Sequence, residues 1–289
     1  MKLIRHIKTH LLDTLLLPYR LKHLEQHLIR MTWEAVRQDP RHQGGLSLMP
    51  HGAKIFSQSD EDGIIREIFK RIGVTNRVFV EFGAGDGYEN NTHALLYDGW
   101  CGLWLEGSER CVENIRRHMQ PLIRDGRLQI QQAFLTRENI DGLIAAHRKE
   151  TEIDLLSVDI DGNDIHVFSS IQSVRARVVV MEYNAKFPPP IRYCMEYRGT
   201  HCWDGGDQFG ASLQYLEEAM GRLGYFLVGC NLTGVNAFFV RKDLAGDRFQ
   251  GPFTAERHYE PARYYARHML SGHESSSRTL AEASGMVHR

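Results

Sequence analysis

The chain has few cysteines, almost no net charge and no long apolar run, and each shortage excludes something. Its 289 residues include five cysteines: Cys101, Cys111, Cys194, Cys202 and Cys230. The number is odd and no two stand at CxxC spacing, which argues against a disulfide framework or a zinc knuckle. Reduced thiols in a cytoplasmic protein are the expectation, because buried cysteine behaves as a small hydrophobe. Lys and Arg number 35 against 36 Asp and Glu, a formal net charge of −1. No overall field recruits nucleic acid or an anionic membrane, so no nucleic-acid partner is expected. No stretch reaches the roughly 18 consecutive apolar residues of a membrane span. The short run Leu15–Leu17 ends at Pro18 without a small-residue cleavage pattern, so no signal peptide is expected. Internal repeats are also lacking.

What is present is ordinary globular composition, 42% hydrophobic and 25% charged. The length suits one sizeable α/β domain with appendages. Residues 1–39 read as helical. Leu11, Leu12, Leu15, Leu16, Leu21, Leu24 and Leu28 recur at three- and four-residue spacings among many basic residues. Pro18 is expected to break or kink this run. The arm is expected to pack on its own domain or a second subunit, or to dock at a membrane surface or an enzyme complex. Residues 39–53 read as a linker. The expected division is a helical arm and linker over 1–53, a core domain over 54–245, and a partly mobile extension over 246–289, with Ser275–Ser277 in its mobile part.

Within the core, helix and strand patterns alternate. Helices are expected at Ser59–Ile72, Asn91–Tyr97, Glu109–Met119, Arg137–Arg148, Asp164–Ile171 and Ala211–Leu223. Strands are expected at Arg77–Phe82, Gly102–Leu105, Leu128–Gln132, Asp154–Asp159 and Val178–Tyr183. This alternation predicts a mostly parallel sheet. Tyr225–Gly229 and Val235–Arg241 are separated by a turn too short for a parallel crossover, so they are expected to form an antiparallel hairpin at the sheet edge. Asp60, Glu61 and Asp62 fill a first helical turn, where carboxylates suit the helix dipole.

The central motif runs from Val78 to Gly87, a buried strand passing into glycines at alternate positions 83, 85 and 87. Glycines there let the backbone turn sharply and approach a ligand. Glu81 stands at the strand end, where a carboxylate can receive the cationic amino-acid end of S-adenosylmethionine. Glu106 ends the next strand about 20 residues on, where an acid can accept from both ribose hydroxyls. The spacing is GxGxG, with Tyr88 where a dinucleotide fingerprint wants glycine. Together these features favour S-adenosylmethionine over a dinucleotide.

A second cluster ends the fourth and fifth strands: Asp159, Asp161, Asn163 and Asp164, then Glu182 and Asn184. Carboxylates concentrated at one sheet edge repel unless a cation or a proton sits between them. Oxygen-rich sites suit Mg2+ or Mn2+. Such a cation holds a hydroxyl and lowers its pKa. Acid–base work by the carboxylates alone, or a plain polar turn over 161–164, are the alternatives. Asp161 is a candidate catalytic group, and His166 a candidate general base. Residues 185–210, with Pro188-Pro-Pro190 and several aromatics, form a long loop beside this edge that is suited to cover an acceptor.

With these residues in view, the chain resembles the FkbM-like S-adenosylmethionine-dependent methyltransferases, in particular a bacterial subgroup associated with surface polysaccharides. The resembling stretches are Phe56–Ile65, Phe79–Asn91 with Gly102–Glu106, Asp159–Asp164 with Glu182–Asn184, and Phe209–Leu213 with Gly229–Phe239. The resemblance implies a Rossmann-like class I methyltransferase fold of seven strands, ending in the antiparallel hairpin. It carries over Glu81, Gly83, Gly85 and Glu106 as cofactor contacts, with Asp86 and Asp159 beside them. Ser57 and Gln58 are placed toward cofactor or acceptor. Similarity to metal-dependent sugar O-methyltransferases makes Asp159, Asp161, Glu182 and Asn184 the candidate metal ligands. The implied activity is O-methylation of a glycan or another polyhydroxylated small molecule. Two other readings stay open: a non-catalytic module docking to a glycan-assembly complex, and an NAD-type oxidoreductase.

Overall fold

The computed structural model describes residues 2–266. The segment 267–289, with the expected mobile stretch Ser275–Ser277, lies outside the described residues. Ten α-helices, three short 3-10 helices and seven strands follow one another in these residues. Helix α1 spans Lys2–Gln38, α2 Glu61–Ile72, then β1 Val78–Phe82, α3 His93–Tyr97 and β2 Cys101–Glu106. Helices α4 Glu109–His118 and α5 Gln120–Arg124 lead to β3 Leu128–Gln132, α6 Ile140–His147 and β4 Glu152–Val158. Next come α7 Asp164–Phe168, β5 Arg175–Glu182, α8 Leu213–Arg222, β6 Tyr225–Cys230 and β7 Asn236–Arg241. Short helices α9 Lys242–Ala245 and α10 Ala255–His258 close the described chain.

The strands form one sheet in the order β3-β2-β1-β4-β5-β7-β6. Neighbours from β3 to β5 are parallel, and β7 is antiparallel to both β5 and β6. The expected terminal hairpin is present, with β6 as the edge. Helices cover both faces, so the central strands read as continuous apolar runs such as Val178-Val-Val-Met181. Val78, Val80 and Phe82 pack with Ile140, Ile144, Leu213 and Leu216 on one face. Phe79, Trp104 and Val180 pack with Ile64, Ile68 and Ile115 on the other. Full burial of each such side chain contributes about 1.5–3 kcal/mol.

Chain order reverses between β1 and β4, which opens a crevice beyond their carboxyl ends. The strand order and the C-terminal hairpin are those of the Rossmann-like class I methyltransferase fold.

Several local expectations are corrected. Pro18 lies inside α1 without ending it. Helix α6 begins at Ile140, because Thr136 N donates to Asn139 Oδ1 at 2.9 Å and residues 136–139 form a capping turn. Helix α7 stops at Phe168, where Ser169 and Ser170 bond back to the carbonyls of Ile165 and His166 at 2.6 and 3.1 Å. The presumed linker buries Leu48 and Met49. Residues 246–266 pack rather than trail: Phe249, Ala255 and Ala266 are buried, and Tyr183 Oη donates to Glu260 O at 2.6 Å.

Candidate functional site

The crevice contains a cavity of about 800 Å³, lined by Gly83 and Gly85 after β1, by Glu106 at the end of β2, by Asp159 and Asp161 after β4, and by Glu182 at the end of β5. The β1 strand enters it through Gly83, whose φ is +71° and whose N donates to Leu105 O at 2.9 Å. A Cβ built there would stand 1.8 Å from Asp159 O, so only glycine lets the loop pass this close to the end of β4. Glu106 Oε2 accepts from Gly85 N and Oε1 from Ser108 N, both at 2.7 Å. Two backbone N–H groups therefore orient this carboxylate on the cavity wall. Each oxygen keeps a second lone pair for a ligand hydroxyl.

Glu81 is placed differently from the expectation. Side chains of a strand alternate between faces, so Glu81 shares the face of Phe79, toward α2 and α3. Its carboxylate is buried and accepts from Asn91 N at 2.9 Å, from Thr92 N at 3.2 Å and from the Thr92 hydroxyl. Burial raises its pKa to about 7, although these donors oppose the shift. Glu81 thus shapes the loop that follows the glycines and is not on the cavity wall.

Ser57 is also withdrawn. The loop before α2 folds around Asp62, whose Oδ2 accepts from the backbone N of Ile55, Phe56 and Ser57 at 2.6, 2.7 and 2.8 Å, and from Ser57 Oγ at 2.9 Å. Burial raises the Asp62 pKa, and the donors only partly offset it. The loop leaves Gln58 on the cavity wall and Ser57 beneath it. The acids of this turn do more than complement a helix dipole. Glu61 accepts from Asn231 Nδ2 at 2.6 Å and Asn236 Nδ2 at 3.0 Å, and Asp60 Oδ1 from Leu232 N at 3.1 Å, which ties α2 to the β6–β7 turn. Asp86 is exposed, caps Tyr88 N at 3.0 Å and does not line the cavity.

The acidic cluster divides in two. Asp159, Asp161 and Glu182 bring one carboxylate oxygen each within 4.8 Å of the others. Among the described residues this is the group suited to a metal ion. The donor set is three hard oxygens at the spacing a divalent cation can bridge, so the residues fit Mg2+ or Mn2+. Asp164 belongs to the turn instead. Its oxygens accept from Ile160 N and Gly162 N, both at 2.9 Å, and burial raises its pKa to about 6. Asn163 is likewise committed, with Nδ2 donating to Arg198 O at 2.7 Å.

Two expected site residues are corrected. Asn184 is fully buried, and its Nδ2 donates to Asp207 O at 2.8 Å and Phe209 O at 3.0 Å. It staples both ends of the 185–210 loop together and does not reach the carboxylates' cavity face. His166 sits under that loop, Nε2 within 2.8 Å of Met195 O, and is also off the cavity wall.

The stapled loop supplies Lys186 and His201, which sequence reasoning had not singled out, and both line the cavity with Trp203 of the expected covering loop and Phe209; Phe134 and Tyr264 add further aromatic lining. His201 Nε2 lies 3.1 Å from the backbone O of Asp161, which holds the ring at the turn after β4 on the cavity wall. The available signal was position: a long loop leaving the carboxyl end of β5 must start over the crevice.

Comparison with known proteins gives one match to a family model, over part of the chain. Residues 135–225 match the Methyltransferase FkbM domain, from the end of β3 to the start of β6; the glycine loop lies outside the match. No curated protein matches the chain. Three solved structures of similar fold are a METTL16 methyltransferase domain (15% identity, 74% of this chain and 78% of that one, TM-score 0.41), the methyltransferase domain of bacterial CtHen1-C (14%, 64% and 97%, 0.40) and the N-terminal domain of EvdMO1 with SAH and D-fucose (15%, 63% and 82%, 0.38). These likenesses are distant, and the fold assignment rests on the strand order itself. That order and the match over residues 135–225 agree with the resemblance carried by the motifs, and over those residues the chain is similar to the FkbM methyltransferase domain.

Proposed function

We propose that this protein is an O-methyltransferase acting on a hydroxyl of a glycan or another polyhydroxylated small molecule. The observation that carries the reading is the convergence of Asp159, Asp161 and Glu182 within 4.8 Å on the cavity wall. Gly83, Gly85, Gln58 and Glu106 form the cofactor side, with Glu106 poised for the ribose hydroxyls. Bound S-adenosylmethionine supplies the methyl group. Asp159, Asp161 and Glu182 would hold a divalent cation, whose Lewis acidity lowers the pKa of an acceptor hydroxyl.

The remaining work falls to the chain itself. The acceptor must lose its proton as the oxygen–carbon bond forms and the sulfonium–methyl bond breaks, leaving the neutral thioether; His201, on the cavity wall with Nε2 facing the Asp161 carbonyl, keeps Nδ1 as the candidate acceptor of that proton. Trp203 and Phe134 offer exposed ring faces at the cavity mouth, suited to the apolar face of a sugar ring. Lys186 places a cation at the same wall, suited to an acidic acceptor group. Holding the two reactants in line supplies much of the rate.

The test is incubation with methyl-labelled S-adenosylmethionine and glycans extracted from the host, with and without chelator. Label is expected on a glycan fraction, lost with chelator and restored by Mg2+ or Mn2+. Transfer that ignores the chelator removes the cation from the reading. No transfer to any acceptor removes the activity.

A further inference from the structure

Helix α1 carries two apolar stripes, and among the described residues its own domain covers only one. Ile29, Trp33 and Val36 face inward and pack against Met49, Leu232 and Ala266, with Trp33 Nε1 donating to Ala266 O at 3.1 Å. Leu17, Leu21, Leu24, Leu28 and Met31 lie elsewhere on the helix and remain 52–54% exposed. Packing on a domain requires a single apolar face, so the second stripe is not accounted for by packing among the described residues.

The second stripe advances by four, three, four and three residues. That is the 3.5-residue period of a coiled-coil seam, with Leu21 and Leu28 at one core position and Leu17, Leu24 and Met31 at the other. The residues flanking the seam are charged in a complementary way. Arg20 directly precedes a core leucine, and Glu25 directly follows the next one. In a parallel pair, a residue at the first of these positions faces the second position five residues further along the other helix. Arg20 of each helix then meets Glu25 of the other, twice by symmetry. Antiparallel pairing on the same seam sets Arg20 opposite His27 and loses both attractions. A helix lying in a membrane surface favours a Lys/Arg-rich polar face and a broad apolar one. Here the stripe is narrow and an acid borders it.

We propose that the Leu17–Met31 face of α1 is the seam of a parallel coiled coil with a second copy of this chain. The seam is two heptads long over these residues, so association is concentration-dependent. The two domains would then hang from one stalk on the sides of their Trp33 contacts.

The experiment is sedimentation equilibrium of the full chain from low to high micromolar concentration. A monomer–dimer equilibrium is expected. Leu24→Asp with Leu28→Asp should abolish the dimer and leave the domain's thermal unfolding unchanged, because both positions are exposed. Arg20→Glu alone should weaken association by roughly threefold to tenfold, as expected for two solvent-exposed ion pairs turned repulsive. Combining it with Glu25→Arg should restore the wild-type constant. A chain that stays monomeric throughout overturns the proposal. So does a dimer that the paired aspartates leave intact. A monomer that floats with vesicles of mixed phosphatidylglycerol and phosphatidylcholine overturns it in favour of a membrane surface.

Discussion

The two ends of β4 each carry an aspartate, and the fold treats them in opposite ways. Asp154, near the amino end, is fully buried and meets donors on every side. It accepts from Thr75 N and Oγ, from Asn76 N and Arg77 N, and from Arg177 Nη1 at 2.6 Å. Burial alone would raise its pKa, but Arg177 and the backbone donors outweigh it and hold the pKa below the usual value. Asp159, just past the carboxyl end, converges with two further carboxylates on the wall of the cavity. The first aspartate is satisfied by the chain and closes the bottom of the sheet. The second is placed where charges of its own sign gather, an arrangement that favours a bound cation. The lesson is that an acid's partners, more than its place at a strand end, separate structure from chemistry.

The comparison can be broken at its structural end first. Asp154→Ala should cost about 3–5 kcal/mol of stability, because Arg177 is left charged and buried without its partner. Chemical denaturation measures this directly. A loss below about 1 kcal/mol, the range of a surface ion pair, would mean that the pair is not structural. At the other end, Asp159→Asn with Glu182→Gln should lower methyl transfer by about 100-fold or more, the scale of losing several kcal/mol of charge stabilisation. The same double variant should unfold no earlier than the wild type, because two repelling charges have gone. Reduced stability with retained activity would reverse the assignment of the two ends.

The pH dependence sharpens the contrast further. Asp154 has a folded pKa below 3.8, so its stabilisation is present above that value and is lost as pH falls through the folded pKa. Glu81 has a folded pKa raised from 4.5 to about 7, so its contribution is greatest below 4.5 and declines as pH rises toward 7. Glu81→Gln should therefore remove part of the decline in stability between pH 4.5 and 7. Asp60, also raised to about 7, leaves a remainder of the same sign. Identical slopes in wild type and variant would refute the burial argument for Glu81. The smallest effect belongs to His166: its replacement by Gln should leave transfer within about twofold, since a group that touches neither reactant contributes nothing specific to the transition state. A larger fall, with unfolding unchanged, would bring His166 back as a base.

Much of the sheet was legible because parallel strands buried on both faces write themselves as apolar runs. The β3 bounds, Leu128–Gln132, agree with the expectation, and β1 differs by one residue. Helix ends were less legible, since Asn139, Ser169 and Ser170 act through side chains that bond locally to the backbone. The glycine loop and Glu106 could be read because fold topology dictates where strand ends lead. Glu81 could not, because the parity of β1 turns it toward α3. Asn184 and His166 were misplaced for another reason. Both act on the 185–210 loop, and nothing in a linear pattern shows how a loop without periodicity folds back. His201 and Lys186 were missed for the same reason.

Equilibrium binding of labelled S-adenosylmethionine to the purified chain tests the central claim most directly. Saturable binding of one cofactor per chain is expected, weakened about tenfold or more by Glu106→Ala, the scale of hydrogen bonds to a charged group. No binding by the wild type, or binding that Glu106→Ala leaves unchanged, would contradict the assignment of this cavity to the cofactor.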